Sequence, residues 1–410
     1  MNASIPPASV HAGPVGMVFS GGGARGAYEA GVLRYLFGDF ARRYGAPRVD
    51  VVSGTSVGAI NGAYVASVVH DPIAGVERLV RLWSELELDR VISFGVGQAT
   101  KLPRVLFGGR QGAGILDVSP LIKLVSTNMR WSDLVRNLRR GRLRALTISA
   151  THVATGRPWV FVDRAPDVPL PTRLPPSMVV RGDRIGPQHV LASAAIPVLF
   201  PPVPVHGELF VDGGLRLNTP MSPVIHLGAR RVLVVALTSA GTTPKPAFEP
   251  GVFPGVAFLI GKMLNAFLLD HVNADFYEIE RVNRMLDDGV ALYGDDFVTR
   301  LNAKAVTEGR APRERLHALA VAPSEDIGMI AAHHMRSNKA RFGRALGKQL
   351  LRLLDIGEGV DADLVSYLLF DGDFARQLMD LGEHDARSRE EDLARFFFAK
   401  PSSPLLDEGR

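Results

Sequence analysis

Two short motifs combine residue types that can cleave an ester. Gly54-Thr55-Ser56-Val57-Gly58 is a G-x-S-x-G sequence, a pattern that in hydrolases holds a nucleophilic serine on a strained turn between a strand and a helix. Asp212-Gly213-Gly214 supplies a carboxylate followed by two glycines. Because a serine hydroxyl needs a base to take its proton during attack, Asp212 is a candidate partner for Ser56. The alternatives are that Ser56 only caps a helix and that Asp212-Gly213-Gly214 is an ordinary turn.

A third motif can stabilise negative charge. Residues 20–26 read Ser-Gly-Gly-Gly-Ala-Arg-Gly, and the backbone N–H groups of such a loop at a helix N-terminus can converge on an anion. The motif also fits the dinucleotide-binding pattern through Gly21, Gly23 and Gly26, but the second predicted strand ends in Ser53 rather than in the acid that this pattern requires. No Gly-Lys-Ser/Thr follows, which excludes a Walker loop.

Other nucleophiles and bases are hard to find in the chain. The absence of cysteine excludes a thiol nucleophile, a disulfide framework, a cysteine-ligated zinc site and an iron–sulfur cluster. Histidine is the usual base for a serine nucleophile. None of the 11 histidines lies in a recognisable setting. Those near turns or element ends are His152, His189, His206, His226 and His271.

Strand–turn–helix units hold these motifs in position. Residues 15–20 and 49–53 are short apolar runs typical of buried strands, and helical spacing follows each of them over 24–40 and 56–69. Such units in series favour an α/β fold with parallel strands. Four further strands are predicted, over residues 143–151, 159–162, 209–211 and 232–237.

Beyond residue 240 the apolar residues follow helical spacing, and one helix is predicted over 252–269. We therefore expect a flexible N-terminus at 1–14, a catalytic domain at 15–240 and a helical C-terminal extension at 241–410 packed on the catalytic domain. With 46% hydrophobic residues and a net charge of +5, the composition is that of a folded chain. No secretory signal and no run of about eighteen apolar residues is found, so we expect a cytoplasmic location.

Taken together, the motifs resemble those of the patatin-like phospholipase family. The resemblance rests on GGGARG at 21–26, GTSVG at 54–58, ASAAIPVLFPPV at 192–203 and DGG at 212–214. It covers residues 15 to 240 and implies a patatin-type three-layer α/β/α fold with a mostly parallel central sheet, plus a C-terminal helical extension. Family members often begin the glycine loop with aspartate, where Ser20 stands here. We expect little effect from this difference because the proposed donors are main-chain groups.

The resemblance also implies a reaction of the phospholipase A or lysophospholipase type, in which fatty-acyl esters of membrane lipids are cleaved. Ser56 would be the nucleophile and Asp212 the general base, in a Ser–Asp dyad without histidine, metal ion or organic cofactor. A base of this kind should be buried, since burial raises the pKa of a carboxyl group. The remaining implied site residues are the oxyanion-hole loop Gly21, Gly22, Gly23, Ala24, Arg25 and Gly26, the elbow glycines Gly54 and Gly58, and the dyad-loop glycines Gly213 and Gly214.

Two other functions remain open from the sequence. One is a Ser-His-Asp lipase or esterase of the α/β-hydrolase type. It is disfavoured because the oxyanion glycines of such enzymes normally follow a histidine, and Ser20 occupies that place here. The other is a nucleotide- or lipid-sensing module with an idle hydrolase site. Arg25 is expected either to orient the loop or meet a lipid phosphate, or else to form a local ion pair.

The basic segment 129–140 is amphipathic at helical spacing. Packing of its apolar face in the core is the more common arrangement for such a helix, and peripheral docking on an anionic membrane is the alternative. We expect a phospholipid or other fatty-acyl ester as substrate and no nucleic-acid partner, and homo-oligomerisation is left open.

Overall fold

A single mixed sheet organises the chain in the computed structural model, which describes residues 13–91, 116–171, 177–197, 199–238, 272–308, 312–338 and 362–398. Within these residues nine strands join the sheet in the order β5-β4-β3-β2-β1-β8-β9, with β7 paired to β3 and β6 paired to β7. The strands are β1 (Val15–Phe19), β2 (Val51–Thr55), β3 (Ala145–His152), β4 (Pro158–Arg164), β5 (Val179–Gly182), β6 (Val203–Val205), β7 (Glu208–Asp212), β8 (Arg231–Val235) and β9 (His317–Val321).

Most strand pairs are parallel. β1 runs parallel to β2 and β8, β2 to β3, β8 to β9, and β4 to β5. The antiparallel pairs are β3 with β4, β3 with β7, and β6 with β7. This arrangement confirms the predicted α/β class with a mostly parallel central sheet.

Helices surround the sheet. They are α1 (Ala27–Phe37), α2 (Asp39–Tyr44), α3 (Val57–Val68), α4 (Pro72–Ser84), α5 (Ser119–Asn128), α6 (Trp131–Arg139), α7 (Pro187–Ser193), α8 (Met221–His226), α9 (Val272–Tyr293), α10 (Phe297–Thr307), α11 (Ile327–Ser337), α12 (Ala362–Leu368), α13 (Gly372–Ser388) and α14 (Glu390–Phe398). Among the described residues no helix is both long enough and apolar enough to cross a membrane.

Both faces of the sheet are covered, as in a three-layer architecture. Successive side chains of a strand point to opposite faces. Accordingly, Met17 and Phe19 of β1 belong to one apolar cluster, whereas Val18 belongs to the other. The first cluster includes residues of α1, α3 and α13, and the second includes residues of α8 and α9. The chain therefore places its sheet between two helical layers.

The C-terminal region is mostly helical, as predicted, but it also contributes β9, which the sequence analysis did not foresee. The strand reads His-Ala-Leu-Ala-Val and extends the sheet beyond β8. Alanine and leucine carry no β-branch and alanine is depleted in strands, so this segment gives a weak strand signal. The domain boundary at residue 240, the flexible N-terminus and the helix over 252–269 stay predictions, because residues 1–12 and 239–271 lie outside the described part.

Helix α13 packs directly on α1. A side-chain carbon at Gly31 would collide with the backbone of Met379, and one at Gly382 would collide with the carbonyl of Tyr28. The Tyr28 hydroxyl also donates a hydrogen bond to Asp385 of α13, at 3.0 Å. The helix that follows the glycine loop is thus held by the C-terminal region.

The amphipathic segment 129–140 forms α6, and its apolar face lies in the core. Leu134 and Leu138 are buried, and the Asn137 amide donates hydrogen bonds to the carbonyls of Ala66 and Ser67 at the end of α3. These two leucines are therefore not available for docking on a membrane.

Candidate active site

The parallel register brings the glycine loop and Ser56 to one edge of the sheet. The loop follows β1 and Ser56 follows β2, and in neighbouring parallel strands the carboxyl ends lie side by side. β3 continues the alignment, because Ser149 pairs with Thr55 and the next residue, Ala150, pairs with Asp212 of β7. The sheet thus carries Asp212 to the same edge as Ser56.

Ser56 sits on a strained turn between β2 and α3. Its φ of 55° and ψ of −124° are unusual for a residue with a side chain, as expected of a nucleophile elbow. The two glycines of the motif allow the turn to close. A Cβ at Gly54 would collide with the carbonyl of Gly58, and a Cβ at Gly58 would collide with the carbonyl of Phe19.

The Ser56 hydroxyl donates a hydrogen bond to Asp212 Oδ2 at 2.6 Å. Both groups are buried, with 4% of Ser56 and 1% of Asp212 exposed. The Gly214 N–H donates to the other carboxylate oxygen, Oδ1, at 2.7 Å. Burial raises the pKa of Asp212 to about 6, although the hydrogen bonds from Ser56 and Gly214 oppose this increase. Asp212 is thus a stronger base than an ordinary aspartate and is still ionised at neutral pH.

The end of α7 and the residues just after it hold the main chain on both sides of this contact. The Ser193 hydroxyl accepts a hydrogen bond from the Ser56 N–H at 2.9 Å and donates one to the Ser149 carbonyl at 2.5 Å. Two residues on, the Ala195 carbonyl accepts a hydrogen bond from the Asp212 N–H at 2.8 Å. Ser193 lies in the run at 192–203 that carried part of the resemblance, but the sequence alone assigned it no role.

The dyad loop fits closely against β3. A side-chain carbon at Gly213 would collide with the Ser149 carbonyl, so only glycine lets β7 and β3 approach at this point. Gly214 contributes its N–H to the carboxylate. These two glycines therefore seat and orient Asp212.

The glycine loop lies beside Ser56. A Cβ at Gly21 would stand 3.1 Å from the Ser56 Cβ. The Gly21 N–H already donates to the Asn218 carbonyl at 3.3 Å, and the Arg25 N–H donates to the Gly22 carbonyl at 3.2 Å. Gly26 closes the 3-10 turn Gly23–Gly26 that leads into α1. In contrast, the N–H groups of Gly22, Gly23 and Ala24 meet no acceptor among the described residues.

Arg25 points towards the C-terminal region. It is buried, its Nε donates to the Ser366 hydroxyl at 2.7 Å, and its guanidinium stacks 4.1 Å above the ring of Tyr367. The carbonyl of Tyr367 is also the atom that a side chain at Gly23 would strike. These contacts suit a residue that orients the loop rather than one that meets a lipid phosphate.

Sequence reasoning missed a buried polar network behind the loop. The Asn61 amide donates hydrogen bonds to the Gly26 carbonyl at 3.0 Å and to Glu29 Oε2 at 2.8 Å, and Trp83 Nε1 donates to Asn61 Oδ1 at 3.1 Å. Glu29 is fully buried, and burial raises its pKa well above the usual range. Its Oε1 meets no hydrogen-bond donor among the described residues.

An apolar pocket opens beside Ser56. It encloses about 850 Å³, counting the space at its opening, and Gly23 and Ser56 are part of its lining. Most other lining residues are apolar side chains of α3, of α4 and the turn after it, of α5, and of the segment after α7: Val57, Ile60, Leu79, Leu82, Trp83, Leu86, Leu121, Leu124, Val125, Ala194, Ile196 and Phe200. A pocket with this lining can hold a hydrocarbon chain next to the Ser56 hydroxyl.

The described histidines lie elsewhere, and none of them hydrogen-bonds Ser56. His152 contacts Glu208 at 3.0 Å, and His226 bonds to Ser222 on its own helix. His271 lies outside the described residues.

His189 and His206 both contact Asp183, and these three residues form the one described group whose ligand atoms are close enough for a metal ion. Because the Gly186 N–H donates to His189 Nδ1, the ring hydrogen sits on Nε2 and faces Asp183. The group is therefore satisfied by hydrogen bonds as it stands.

Comparison with known proteins agrees with this geometry. The model of the family described as patatin-like phospholipase matches residues 17–225. The match includes the glycine loop, the Ser56 elbow and Asp212. The chain belongs to the patatin-like phospholipase family, a class of lipid ester hydrolases.

The matched relatives are much longer proteins. Lysophospholipase NTE1 of Mycosarcoma maydis is 27% identical over 57% of this chain and 10% of its own length. Patatin-like phospholipase domain-containing protein ZK370.4 of Caenorhabditis elegans is 28% identical over 56% of this chain and 14% of its own length. Among solved structures, human GIVD cytosolic phospholipase A2 in complex with methyl gamma-linolenyl fluorophosphonate is 12% identical with a TM-score of 0.40, over 94% of this chain and 59% of that one.

Proposed function

We propose that this protein is a serine acyl hydrolase that cleaves fatty-acyl esters of lipids, with Ser56 as nucleophile and Asp212 as general base. The observation that carries the proposal is the 2.6 Å hydrogen bond from the Ser56 hydroxyl to the buried Asp212 carboxylate, at the edge of an apolar pocket. No described histidine takes part in this contact, which favours a two-residue site over a Ser-His-Asp triad.

In the first half-reaction, Ser56 Oγ attacks the ester carbonyl carbon while Asp212 Oδ2 takes the hydroxyl proton. The carbonyl oxygen becomes negatively charged and receives hydrogen bonds from the N–H groups of Gly22, Gly23 and Ala24, for which the described residues offer no acceptor. Loss of one such donor typically raises the barrier by about 2.7–4 kcal/mol. The intermediate then expels the alcohol, which takes the proton from Asp212, and leaves an acyl group on Ser56.

In the second half-reaction, water attacks the acyl-serine while Asp212 takes its proton. The second tetrahedral intermediate then collapses: the bond to Ser56 Oγ breaks, Asp212 returns the proton to Ser56, and the fatty acid is released. The same donors hold the oxyanion in both steps. Gly21 and Arg25 have a structural part in this scheme, because the Gly21 N–H already donates to the Asn218 carbonyl and the Arg25 N–H to the Gly22 carbonyl.

The pocket and the relatives both support the proposed substrate class. An almost wholly apolar lining suits a fatty-acyl chain, and relatives named lysophospholipase support a phospholipid or lysophospholipid ester as substrate.

The direct test is labelling with an alkyl fluorophosphonate, followed by mass spectrometry of the tryptic peptides. We expect one adduct, on Ser56, and none in Ser56→Ala. Incubation of both proteins with lipid extracts then identifies the ester that only the unmodified protein consumes. Absence of an adduct, with a nucleotide raising the melting temperature, would favour a sensing module with an idle site. Loss of turnover on replacing one histidine, as complete as in Ser56→Ala, would favour the Ser-His-Asp alternative.

A further inference from the structure

The apolar pocket follows one face of α3 away from the proposed nucleophile. Ser56, Ile60 and Tyr64 all line it, and their spacing of four residues places them on the same side of the helix. Tyr64 comes eight residues after Ser56, which corresponds to about 12 Å along the helix axis. An acyl chain bound at Ser56 and extended along α3 therefore runs towards Tyr64.

A second cavity lies behind Tyr64. It encloses about 840 Å³, counting the space at its opening, and shares Tyr64, Leu82 and Asn128 with the apolar pocket. Its other lining residues are largely charged or polar, and they include Arg78, Arg81, Glu85 and Arg130. The three shared residues come from α3, α4 and the end of α5, and they form a partition between an apolar and a polar space.

The Tyr64 ring is held in this partition. Its hydroxyl donates a hydrogen bond to the Gly75 carbonyl of α4 at 3.2 Å, and the side chain is almost completely buried. α3 and α4 are also in close contact here, because a Cβ at Gly75 would lie 2.5 Å from the Val68 Cβ. The ring thus lies where α3 and α4 are in contact, between the two spaces that it lines.

We propose that Tyr64, together with Leu82, is the end wall that sets the acyl-chain length this protein accepts. The proposal rests on the function proposed above and narrows its substrate to medium-length chains. A carbon–carbon bond of about 1.5 Å advances an extended chain by about 1.3 Å, so a chain starting at Ser56 reaches Tyr64 after roughly ten carbons. A longer chain meets the ring, and beyond the ring it would enter a polar cavity.

The experiment compares kcat/KM for butanoyl, octanoyl, dodecanoyl and hexadecanoyl esters of p-nitrophenol. We expect the unmodified protein to prefer the octanoyl ester over the hexadecanoyl ester. Tyr64→Ala and Leu82→Ala remove the wall and should raise the hexadecanoyl-to-octanoyl ratio about tenfold or more. Two variants are used because loss of the buried tyrosine can lower stability, whereas Leu82 is only half-buried.

Two controls separate the wall from other effects. Tyr64→Phe keeps the ring and should keep the chain-length ratio. Arg81→Ala lies on the polar side of the partition and should leave the profile unchanged. An unchanged ratio in folded Tyr64→Ala and Leu82→Ala, with an active parent protein, overturns the end wall. An inactive parent protein that no fluorophosphonate labels overturns the proposed function instead.

Discussion

Replacing Asp212 by asparagine should abolish activity and stabilise the fold at neutral pH. The pKa of this carboxyl is about 6 in the folded protein and 3.8 in its ordinary environment. The folded state therefore holds the proton more tightly than the unfolded chain does. The contribution of this group to the free energy of unfolding is fully present below pH 3.8. It is lost as the pH rises through about 6. The two pKa values differ by about two, which limits the loss in free energy of unfolding to roughly 3 kcal/mol.

Asparagine cannot ionise, so it avoids this loss, and its side chain can still accept from the Gly214 N–H and donate to Ser56. We expect Asp212→Asn to unfold at higher denaturant concentration than the parent protein at pH 8, with the difference shrinking towards pH 4. Turnover should fall by about a thousandfold or more because no base remains. In the parent protein, kcat/KM should rise with pH around an apparent pKa of about 6.

Urea denaturation of both proteins across this pH range, with ester hydrolysis at each pH, is the measurement. Asp89→Asn, an exposed position on a surface turn, serves as the matched control and should change neither curve. Equal or lower stability of Asp212→Asn at pH 8 would refute the reasoning that burial raises the pKa of this carboxyl. Near-normal turnover would show that another group takes the proton.

Three further substitutions test the surroundings of the dyad. Ser193→Ala removes the hydroxyl that accepts a hydrogen bond from the Ser56 N–H. We therefore expect a lower rate of fluorophosphonate labelling at an unchanged KM, with partial recovery in Ser193→Thr. Equal labelling rates in Ser193→Ala and the parent protein would argue against a positioning role for Ser193. Glu29→Gln should remove a loss of stability that sets in as the pH rises above 4.5, which urea denaturation at pH 5 and pH 8 measures. Gly58→Ala pushes a methyl group against the Phe19 carbonyl and should lower the free energy of unfolding by about 1–3 kcal/mol, whereas Gly45→Ala, with open space around it, tests only the effect of its positive φ.

The residues that sequence reasoning could find are those at the ends of predicted strands. Ser56 and the glycine loop follow β2 and β1, and parallel pairing brings such positions together without further information. The two glycines after Asp212 marked it as a candidate in the sequence, and in the sheet its pairing opposite Ala150 places it beside the elbow. Contact between Ser56 and Asp212 was therefore predictable, whereas their catalytic roles stay proposals.

Features that depend on distant contacts could not be predicted. The Gly21 N–H is not available to an oxyanion, because it donates a hydrogen bond to the carbonyl of Asn218, a residue that belongs to none of the motifs. Glu29 is a charged residue in the first turn of α1, and its burial beside Asn61 of α3 depends on a contact between helices that no sequence pattern marks. In the sequence, Tyr64 and Leu82 look like ordinary apolar positions of a helix, and the end-wall role that we propose for them depends on the contact between α3 and α4.

The close fit of α13 on α1 has a consequence for how the protein can be divided. Phe374, Leu378 and Met379 are fully buried, and part of what covers them is the helix that begins at the glycine loop. A fragment cut after residue 240 would leave that helix with a bare apolar flank and would deprive Arg25 of Ser366 and Tyr367. The stretch shared with relatives, residues 17–225, is thus shorter than the piece of chain that must fold together for the loop to keep its shape.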